Sequence, residues 1–412
     1  MASTPARTSF PKSEISVLLL ENVHASADEL FGAEGFKIER VRGALGEAEL
    51  RERIRDVHVL GLRSKTRVTP AVLAEARRLL AVGAFCIGTN QIACDAAALA
   101  GVPVFNAPFA NTRSVAELVL AEVVFLARQL GDRIREVHVG TWRKVSAGCH
   151  EVRGKTLGIV GYGHIGTQVG VLAEAFGMRV LYHDIVAKLA VGNVRPTAEL
   201  RELLAASDFV TLHVPETPAT RGMIGAAELA AMKPGAHLIN ASRGTVVDVA
   251  ALAEALTQGH LAGAAIDVFP EEPEGNSDAF ESPLRGLANV ILTPHIGGST
   301  EEAQANIGRE VATALTKFVN AGATTGAVNF PHIELPQMPG THRILNVHKN
   351  VPGVLRDINR IVSDLGANIR AQTLATDADI GYLIMDLDHD VSDEVNRAIG
   401  ALPTSQKTRI LY

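Results

Sequence analysis

The sequence predicts an α/β protein with two doubly wound parallel sheets and a smaller C-terminal domain. Three observations predict this class. Short apolar runs of strand length alternate with helical patterns from Ile15 to Leu292, as in parallel sheets that are covered by helices on both faces. A glycine-rich turn at 161–166 joins one apolar run to a helix. After a linker with three prolines at 331–340, the remaining patterns follow the order βαββαβ.

The composition excludes several classes of protein. A chain of 412 residues corresponds to roughly two to three domains. The formal charge of −6 and the lack of a basic cluster argue against a nucleic-acid partner. Charged residues interrupt the apolar helical stretch at 115–130, so no membrane span is expected. Cys86, Cys94 and Cys149 have no metal-type spacing and form no even disulfide set, which indicates a reducing, cytoplasmic compartment and no metal site.

The first predicted domain contains five strands with helices between them. A polar leader at 1–14 precedes it and lacks a signal-peptide core, so we expect a disordered leader, with a transit peptide as the alternative. Strands are predicted at 15–20, 36–41, 58–62, 84–87 and 102–105, and helices at 25–34, 46–55, 70–80 and 93–100. This domain has no glycine fingerprint, and a crossing at 106–111 is predicted to lead out of it.

The stretch 155–184 predicts a binding site for the pyrophosphate of a dinucleotide. Between two apolar strands, Gly161 permits a tight turn, Gly163 lets backbone approach the phosphates, and Gly166 lets the helix pack on the strand. Asp184 ends the second strand, where it could accept hydrogen bonds from a ribose diol and repel a 2′-phosphate. The context favours a Rossmann-type domain that binds NAD over a purely structural turn.

Further strands and helices complete the predicted cofactor sheet. Strands are predicted at 209–213, 236–240, 262–268 and 290–292, and helices at 197–206, 226–232 and 247–257. The helix at 300–320 is predicted to cross back and pack on the first domain. The predicted division is a discontinuous, flavodoxin-like substrate domain at 1–108 and 298–332, a cofactor domain at 109–297, a linker at 333–340 and a C-terminal domain at 341–412. Ligands are expected in a cleft between domains.

The C-terminal domain is predicted to be ferredoxin-like. Its strands are expected at 344–347, 368–374, 382–387 and 408–411, and its helices at 353–365 and 393–402. In the order βαββαβ, both helices lie on one face of a four-stranded antiparallel sheet.

Three polar residues follow successive strands of the predicted cofactor sheet. They are Arg243, Glu272 and His295, and the carboxyl ends of parallel strands share one crevice. A histidine can remove a hydroxyl proton near neutral pH, and an arginine can bind a carboxylate with two hydrogen bonds. A carboxylate beside the histidine favours the imidazolium. These residue types predict oxidation of a 2-hydroxy acid by hydride transfer to NAD.

At these residues the chain resembles the D-isomer-specific 2-hydroxyacid dehydrogenases. Its segments L-I-N-A-S-R-G-T-V-V-D, G-A-A-I-D-V-F-P-E-E-P and L-T-P-H-I-G-G-S-T are the three signature segments of that family. With the tail included, the chain is similar to members that end in a regulatory ACT domain; G-L-R-S-K-T, F-C-I-G-T-N-Q and A-V-N-F-P agree with them. The resemblance implies NAD-dependent oxidation of D-3-phosphoglycerate to 3-phosphohydroxypyruvate, the first step of L-serine biosynthesis, by a homotetramer.

The resemblance also implies roles for single residues. Arg243, Glu272 and His295 are implied to be catalytic. Cofactor contacts are implied for Gly161, Gly163, His164, Ile165, Gly166, Asp184, Ala241, Ser242, Arg243, Asp267, His295, Ile296, Gly297 and Gly298. The substrate is implied to meet Arg63, Ser64, Lys65 and Asn111, and Lys144, near Trp142, is implied to reach the site of a neighbouring subunit.

In the tail, the resemblance implies a site for L-serine where two tails pair into an eight-stranded sheet. Its implied residues are His348, Asn350 and Asn368. Pro352 is predicted to begin a helix, whose N–H groups suit a small carboxylate. Bound serine is expected to slow the enzyme by restraining domain closure.

Two alternative functions stay open at this point. One is a dehydrogenase for another 2-hydroxy acid, including reduction of 2-oxoglutarate, because the shape of a pocket is not visible in sequence. The other is a binding protein that senses NAD, similar to corepressors that resemble this family. The complete set of arginine, glutamate and histidine and the lack of a basic cluster argue against the second alternative.

Overall fold

A computed structural model of the chain describes residues 10–273 and 278–411, so most of the leader expected at 1–14 lies outside the described residues. The chain forms two compact units. The first, called the terminal unit, runs up to Ala110 and resumes at Gln304, and the second, called the central unit, runs from Asn111 to Ala303. No helix among the described residues is long and apolar enough to cross a membrane.

The terminal unit begins with a five-stranded parallel sheet. Its strands are β1 (Ser16–Leu19), β2 (Lys37–Arg40), β3 (Val59–Leu62), β4 (Ala81–Ala84) and β5 (Val104–Phe105). Its helices are α1 (Ser26–Ala33), α2 (Glu47–Arg53), α3 (Pro70–Glu75) and α4 (Cys94–Leu99). The strand order β2-β1-β3-β4-β5 is that of flavodoxin-like sheets. Strands β3 and β4 are buried along their whole length, as expected where helices cover both faces of a sheet.

Two predicted element boundaries in this sheet are wrong. The strand predicted at 84–87 lies at Ala81–Ala84, where small residues weaken the apolar signal. Packing requires a small residue there, since a Cβ on Gly83 would come within 2.7 Å of Leu315. The helix predicted at 70–80 ends at Glu75, because Ala76 leaves the helical conformation and the chain turns into β4.

The central unit contains a seven-stranded parallel sheet. Its strands are β6 (Thr156–Val160), β7 (Arg179–His183), β8 (Arg195–Pro196), β9 (Phe209–Leu212), β10 (His237–Asn240), β11 (Gly263–Ile266) and β12 (Val290–Leu292). Its helices are α5 (Thr112–Arg128), α6 (Leu130–His138), α7 (His164–Ala175), α8 (Leu200–Ala206), α9 (Ala226–Ala231) and α10 (Val249–Thr257). The order β12-β11-β10-β9-β6-β7-β8 reverses between β6 and β9, and ligands of such sheets bind beyond the carboxyl ends at that point.

The sequence missed two features of the central unit. Strand β8 was not predicted, because its two residues are exposed and have no apolar pattern. The helix predicted at 115–130 ends at Arg128, since Gln129 adopts a left-handed conformation with φ of 53° and separates α5 from α6.

Helix α11 (Glu301–Ala321) brings the chain back to the terminal unit, as predicted. Its apolar face carries Ile307, Val311, Leu315 and Phe318 into the core around β1. The regular spacing of apolar residues along a long amphipathic helix explains why this helix could be predicted from the sequence.

The tail has the predicted βαββαβ order. Its elements are β13 (His342–Lys349), α12 (Val354–Asp364), β14 (Ile369–Thr376), β15 (Ile380–Leu387), α13 (Ser392–Gly400) and β16 (Ser405–Leu411). The antiparallel order is β14-β15-β13-β16. One sheet face packs on α12 and α13, while Leu345, Tyr382 and Leu411 on the other face join the core that contains Val17. The predicted α/β class is therefore confirmed.

The start of α12 differs slightly from the prediction. Gly353, with φ of 95°, forms the N-cap, and Pro352 lies outside the helix.

A buried ion pair between Arg343 and Asp386 lies near the start of the tail, and the Arg343 guanidinium also donates to carbonyls of Ala321 and Leu335. The linker is thus fixed to the tail sheet by hydrogen bonds.

Candidate active site

The glycine turn between β6 and α7 has the close approaches that its sequence predicts. Gly161 has φ of 91°, and a Cβ there would lie 2.4 Å from the carbonyl oxygen of His213. A Cβ on Gly166 would lie 2.3 Å from the carbonyl oxygen of Gly161, so the helix packs directly on the turn. A Cβ on Gly163 would meet no atom within 4 Å, which leaves open space beside the N-terminus of α7. This space and the N–H groups of the first helical turn fit a pyrophosphate.

Asp184 is fixed beside this turn at the end of β7. Its Oδ2 accepts a hydrogen bond of 2.9 Å from the N–H of Tyr162, and its Oδ1 accepts one of 2.9 Å from the N–H of Val186. Each carboxylate oxygen can accept more than one hydrogen bond, so the side chain can still bind ribose hydroxyls. These residues fit NAD and would repel the additional phosphate of NADP.

His295 and Glu272 form a hydrogen-bonded pair. The distance from Nδ1 of His295 to Oε2 of Glu272 is 2.9 Å, and Oε1 of Glu272 accepts from the N–H of Phe269 at 3.1 Å. Because of this bond, the neutral ring carries its proton on Nδ1, facing Glu272. Nε2 is therefore the atom that can accept a substrate proton. Both side chains are partly exposed, so a ligand can reach them.

The pair shifts the pKa of each partner. The hydrogen bond that His295 donates to Glu272 raises the pKa of His295, against the effect of burial, and the Glu272 charge adds to the increase. Burial alone would raise the pKa of Glu272, but its hydrogen bond with His295 and the His295 charge lower it. Both shifts favour the ion pair, which stabilises the imidazolium that forms when His295 accepts a proton.

The backbone at His295 is held in an uncommon conformation. Its φ of 52° is left-handed, which costs about 1–3 kcal/mol for a residue other than glycine. Asp267, which is 1% exposed, holds the loop: its Oδ1 accepts from Thr293 Oγ1 at 2.6 Å and from the N–H of Ile296 at 2.8 Å. Its Oδ2 accepts from the N–H of Gly297 at 2.8 Å. These bonds direct the His295 ring toward Glu272.

A buried asparagine positions Arg243. Asn240, at the end of β10, accepts hydrogen bonds from the N–H and the hydroxyl of Ser242, at 3.1 and 2.8 Å. Its Nδ2 donates to the carbonyl oxygen of Arg243 at 3.0 Å. The turn therefore cannot swing away from the strand end without breaking three hydrogen bonds.

The Arg243 turn lies directly against the segment that carries Glu272. A Cβ on Gly244 would lie 1.9 Å from the carbonyl carbon of Phe269, so only glycine fits there. The charge of Arg243 contributes to lowering the pKa of both Glu272 and His295. The structure thus brings together the three residues that the sequence placed at strand ends. A cation, a base and a carboxylate in one cluster can bind an anionic substrate and move a proton.

Sequence reasoning missed the residues that support this cluster. Asn240 and Gly244 carry no chemistry of their own, and the only signal was a polar residue at the end of an apolar strand. Asp267 was expected as a cofactor contact, but its carboxylate accepts hydrogen bonds from the loop that carries His295, and a contact with the cofactor stays a prediction.

The implied substrate residues lie in both units. Arg63, Ser64 and Lys65 follow β3 in the terminal unit, with Ser64 and Lys65 exposed. Asn111 is the N-cap residue of α5 in the central unit but makes no side-chain capping bond, and its buried Oδ1 has no hydrogen-bond partner among the described residues. Lys144 is exposed in the segment between α6 and β6. Their joint role stays a prediction.

The implied effector residues differ in their exposure. His348 is 3% exposed, its Nδ1 pairs with Oδ1 of Asn346 at 3.0 Å, and burial lowers its pKa. Asn350 and Asn368 are exposed at the surface of the tail. Asn368 donates to Asp388 from its backbone and its side chain. The ring of His348 is therefore enclosed in the tail, whereas the two asparagines face solvent.

Two protein families match separate parts of the chain. The family described as "D-isomer specific 2-hydroxyacid dehydrogenase, NAD binding domain" matches residues 120–297. The family described as "AHAS small subunit-like ACT domain" matches residues 344–405. The first match covers the sheet with the glycine turn and the cluster, and the second covers most of the tail.

Similar proteins with curated names match almost the whole chain. "D-3-phosphoglycerate dehydrogenase" of Dictyostelium discoideum is 56% identical over 405 residues, covering 98% of this chain and 99% of the relative. The protein of the same name from Escherichia coli (strain K12) is 53% identical over 410 residues, covering 99% and 100%. An NAD-complexed D-isomer-specific 2-hydroxyacid dehydrogenase from Lactobacillus delbrueckii ssp. bulgaricus superposes with a TM-score of 0.67 at 26% identity, covering 76% of this chain and 100% of that one. These matches confirm the resemblance that the signature segments indicate.

Proposed function

The chain belongs to the D-3-phosphoglycerate dehydrogenases of the D-isomer-specific 2-hydroxyacid dehydrogenase family, and we propose that it oxidises D-3-phosphoglycerate to 3-phosphohydroxypyruvate with NAD. This reaction is the first step of L-serine biosynthesis. The observation that carries the proposal is the cluster of Arg243, Glu272 and His295 on the same sheet as the glycine turn and Asp184.

In this proposal His295 is the base. Its Nε2 accepts the proton of the substrate's C2 hydroxyl, while Glu272 stabilises the resulting imidazolium through the 2.9 Å hydrogen bond to Nδ1. NAD, when bound, would supply the acceptor for the hydride of C2. In the reverse direction, the same imidazolium returns the proton to the carbonyl oxygen. The left-handed backbone at His295 and the Asp267 bonds hold the ring in position for this transfer.

Arg243 is proposed to bind the substrate carboxylate. A guanidinium forms two parallel hydrogen bonds with a carboxylate, which fixes the orientation of C2. Asn240 and Gly244 fix the backbone position from which the Arg243 side chain extends. The charge of Arg243 also acts to lower the pKa of His295, which partly offsets the effect of Glu272.

The phosphate of the substrate is proposed to bind Arg63, Ser64 and Lys65, with Asn111 as a further polar contact. The support is chemical: the substrate has a second anionic end, and the loop after β3 offers a guanidinium, a hydroxyl and an ammonium. A substrate without the phosphate would make none of these contacts, so this loop would separate the proposed reaction from that of other 2-hydroxy acids.

The remaining proposals for cofactor binding concern two regions of the central unit, one for the pyrophosphate and ribose and one for the nicotinamide. We propose contacts of the pyrophosphate with the turn from Gly161 to Gly166, and of the ribose with Asp184. The nicotinamide end is proposed to lie near Ala241, Ser242 and Asp267 and near the loop 295–298. That loop and the Arg243 turn follow β12 and β10, which lie on either side of β11.

We propose that the tail binds L-serine as a feedback inhibitor and that the protein is a homotetramer. An ACT-type tail, an exposed pair of asparagines and a long strand β14 at the sheet edge support this. Pairing of two such edges would give the eight-stranded sheet. Lys144, exposed beside Trp142, is proposed to reach a neighbouring subunit. A cytoplasmic location is proposed from the cysteine pattern.

The test is the consumption of NADH by purified protein with 3-phosphohydroxypyruvate, with and without L-serine. The His295→Ala variant is the catalytic control, and 2-oxoglutarate is the competing substrate. Rapid turnover that the variant lacks and that serine suppresses supports the whole proposal. Turnover without a serine response contradicts only the effector site. A preference for 2-oxoglutarate over 3-phosphohydroxypyruvate contradicts the proposed substrate.

A further inference from the structure

Glu21, which has no role in the chemistry described above, binds the loop that the substrate phosphate is proposed to meet. Its Oε2 accepts a hydrogen bond of 3.0 Å from the N–H of Lys65, and its Oε1 accepts one of 2.7 Å from the N–H of Thr66. The residue is 8% exposed, and a buried carboxylate with two backbone donors is a strong anchor. One side chain thus fixes two successive peptide groups that lie far from it in the sequence.

The backbone of Glu21 is shaped to make these bonds. Both Glu21 and Asn22 are left-handed, with φ of 58° and 51°. Such conformations cost about 1–3 kcal/mol each outside glycine, and they persist where the surroundings demand them. The turn is held by the bond from the Leu20 N–H to the Gly61 carbonyl at 2.8 Å, which ties the end of β1 to β3. This turn therefore orients the Glu21 side chain toward the loop after β3.

Two further bonds hold the same loop. Gln91 Nε2 donates to the carbonyl oxygen of Arg63 at 2.6 Å, and Thr66 Oγ1 accepts from the N–H of Leu45 at 3.2 Å. The main chain is thus fixed at Arg63, Lys65 and Thr66. Ser64 lies between these anchors and is exposed.

The arrangement also decides which groups can meet a phosphate. In many phosphate-binding loops, successive backbone N–H groups bind the anion. Here Glu21 occupies the N–H groups of Lys65 and Thr66, so the proposed phosphate contacts fall to the side chains of Arg63, Ser64 and Lys65. Placement of these side chains then depends on how the loop backbone is held.

We propose that Glu21 is a positioning residue that determines the preference of the enzyme for a phosphorylated substrate. By holding the loop 63–66, it presents the side chains of Arg63, Ser64 and Lys65 to the phosphate, although it does not touch the substrate itself. This inference rests on the proposed function. It adds a specificity determinant that lies outside the catalytic cluster and outside the loop itself.

The test compares 3-phosphohydroxypyruvate with hydroxypyruvate, which differs only in lacking the phosphate. Glu21→Gln keeps the size of the side chain but turns one acceptor oxygen into a donor that faces a backbone N–H. We expect kcat/KM for the phosphorylated substrate to fall about 10- to 100-fold, mainly through KM, as for the loss of a hydrogen bond to a charged group. We expect kcat/KM for hydroxypyruvate and the Kd for NADH to stay unchanged.

Glu34→Gln is the matched control, because Glu34 is a carboxylate of the same unit that accepts hydrogen bonds from Lys12 and Asn320 and none from this loop. Gln91→Ala, which removes the hydrogen bond to the carbonyl oxygen of Arg63, is the second variant in case Glu21→Gln fails to fold. It should likewise lower the ratio of kcat/KM for 3-phosphohydroxypyruvate to kcat/KM for hydroxypyruvate. Equal losses on both substrates in these loop variants would reduce Glu21 to a structural role and overturn the inference. A wild-type enzyme without preference for the phosphorylated substrate would instead contradict the proposed function.

Discussion

Nδ1 of His295 lies 2.9 Å from Oε2 of Glu272, and the two residues follow different strands of one sheet. The carboxylate raises the pKa of the imidazole, so the base gains a proton at a higher pH than a free histidine would. The pH dependence of the reaction therefore reports on this single contact.

Glu272→Gln should move the acidic limb of the kcat/KM profile for oxidation to lower pH. Oxidation requires neutral His295, and loss of the Glu272 charge lowers the pKa below which the imidazole is protonated. We expect the rate at neutral pH to fall about 100-fold, since the imidazolium loses its partner. The measurement is the initial rate of NADH formation across the pH range, and an acidic limb at the wild-type position would contradict this role of Glu272.

Gly244→Ala should impair catalysis while leaving NADH binding largely intact. The new Cβ would lie 1.9 Å from the backbone of Phe269, so the Arg243 turn must move away from the Glu272 segment. A displacement of about 1 Å in a catalytic group can cost about 100-fold in rate. Steady-state kinetics and NADH fluorescence titration check this expectation.

Gly131→Ala is the control for that variant, since a Cβ at Gly131 meets no atom within 4 Å. It should retain wild-type kinetics. A Gly244→Ala enzyme with undiminished kcat/KM would show that the Arg243 turn does not need its observed position.

Asp184→Asn should shift cofactor preference toward NADP. The amide loses the negative charge that repels a 2′-phosphate, while Oδ1 can still accept a bond from a backbone N–H. We expect the ratio of kcat/KM for NAD over NADP to fall about tenfold. Melting temperatures of both proteins separate this effect from a loss of folding, and an unchanged ratio would remove Asp184 from the ribose site.

Glu122 should make the protein less stable as the pH rises. The residue is 3% exposed, and its carboxylate oxygens have no hydrogen-bond partner among the described residues. Burial, and then the charge of Asp267, raise its pKa from 4.5 to about 8. A raised pKa in the folded state gives stability that is complete at low pH and is lost as the pH rises from 4.5 toward 8.

The variant Glu122→Gln, which stays neutral, should therefore gain in melting temperature over the wild type between pH 5 and pH 8. Glu117→Gln on the exposed face of the same helix is the control, and its difference from the wild type should stay nearly flat over this range. A constant gap for Glu122→Gln would mean that the carboxyl group is already ionised in the folded protein.

The elements that the sequence located well have strong local patterns. The glycine turn, α11 and the strands before Arg243 and His295 could be found because apolar periodicity and glycine spacing depend on neighbouring residues. Strand β4 was displaced in the prediction because its small residues weaken the apolar signal, and Gly83 among them packs against Leu315, more than 200 residues later in the sequence.

The supporting residues of both sites could not be found in this way. Glu21 meets Lys65 and Thr66, and Asn240 meets Arg243, through contacts that only the folded chain creates. The enclosure of His348 depends on Gly381, where a Cβ would lie 2.2 Å from Nε2 of the ring. The sequence indicates the reacting groups, because the chemistry restricts their residue types. It does not indicate the residues that position those groups.

The core of the terminal unit contains both Val17 and Leu411, which stand near opposite ends of the chain. During synthesis, this core cannot close until the ribosome has released almost the entire polypeptide. The central unit, from Asn111 to Ala303, is contiguous and can complete its fold earlier. Nascent chains would therefore carry a finished cofactor-binding unit between unfinished halves of the other. Chaperone demand in the cell should then concentrate on the first hundred residues, which wait longest for their partners.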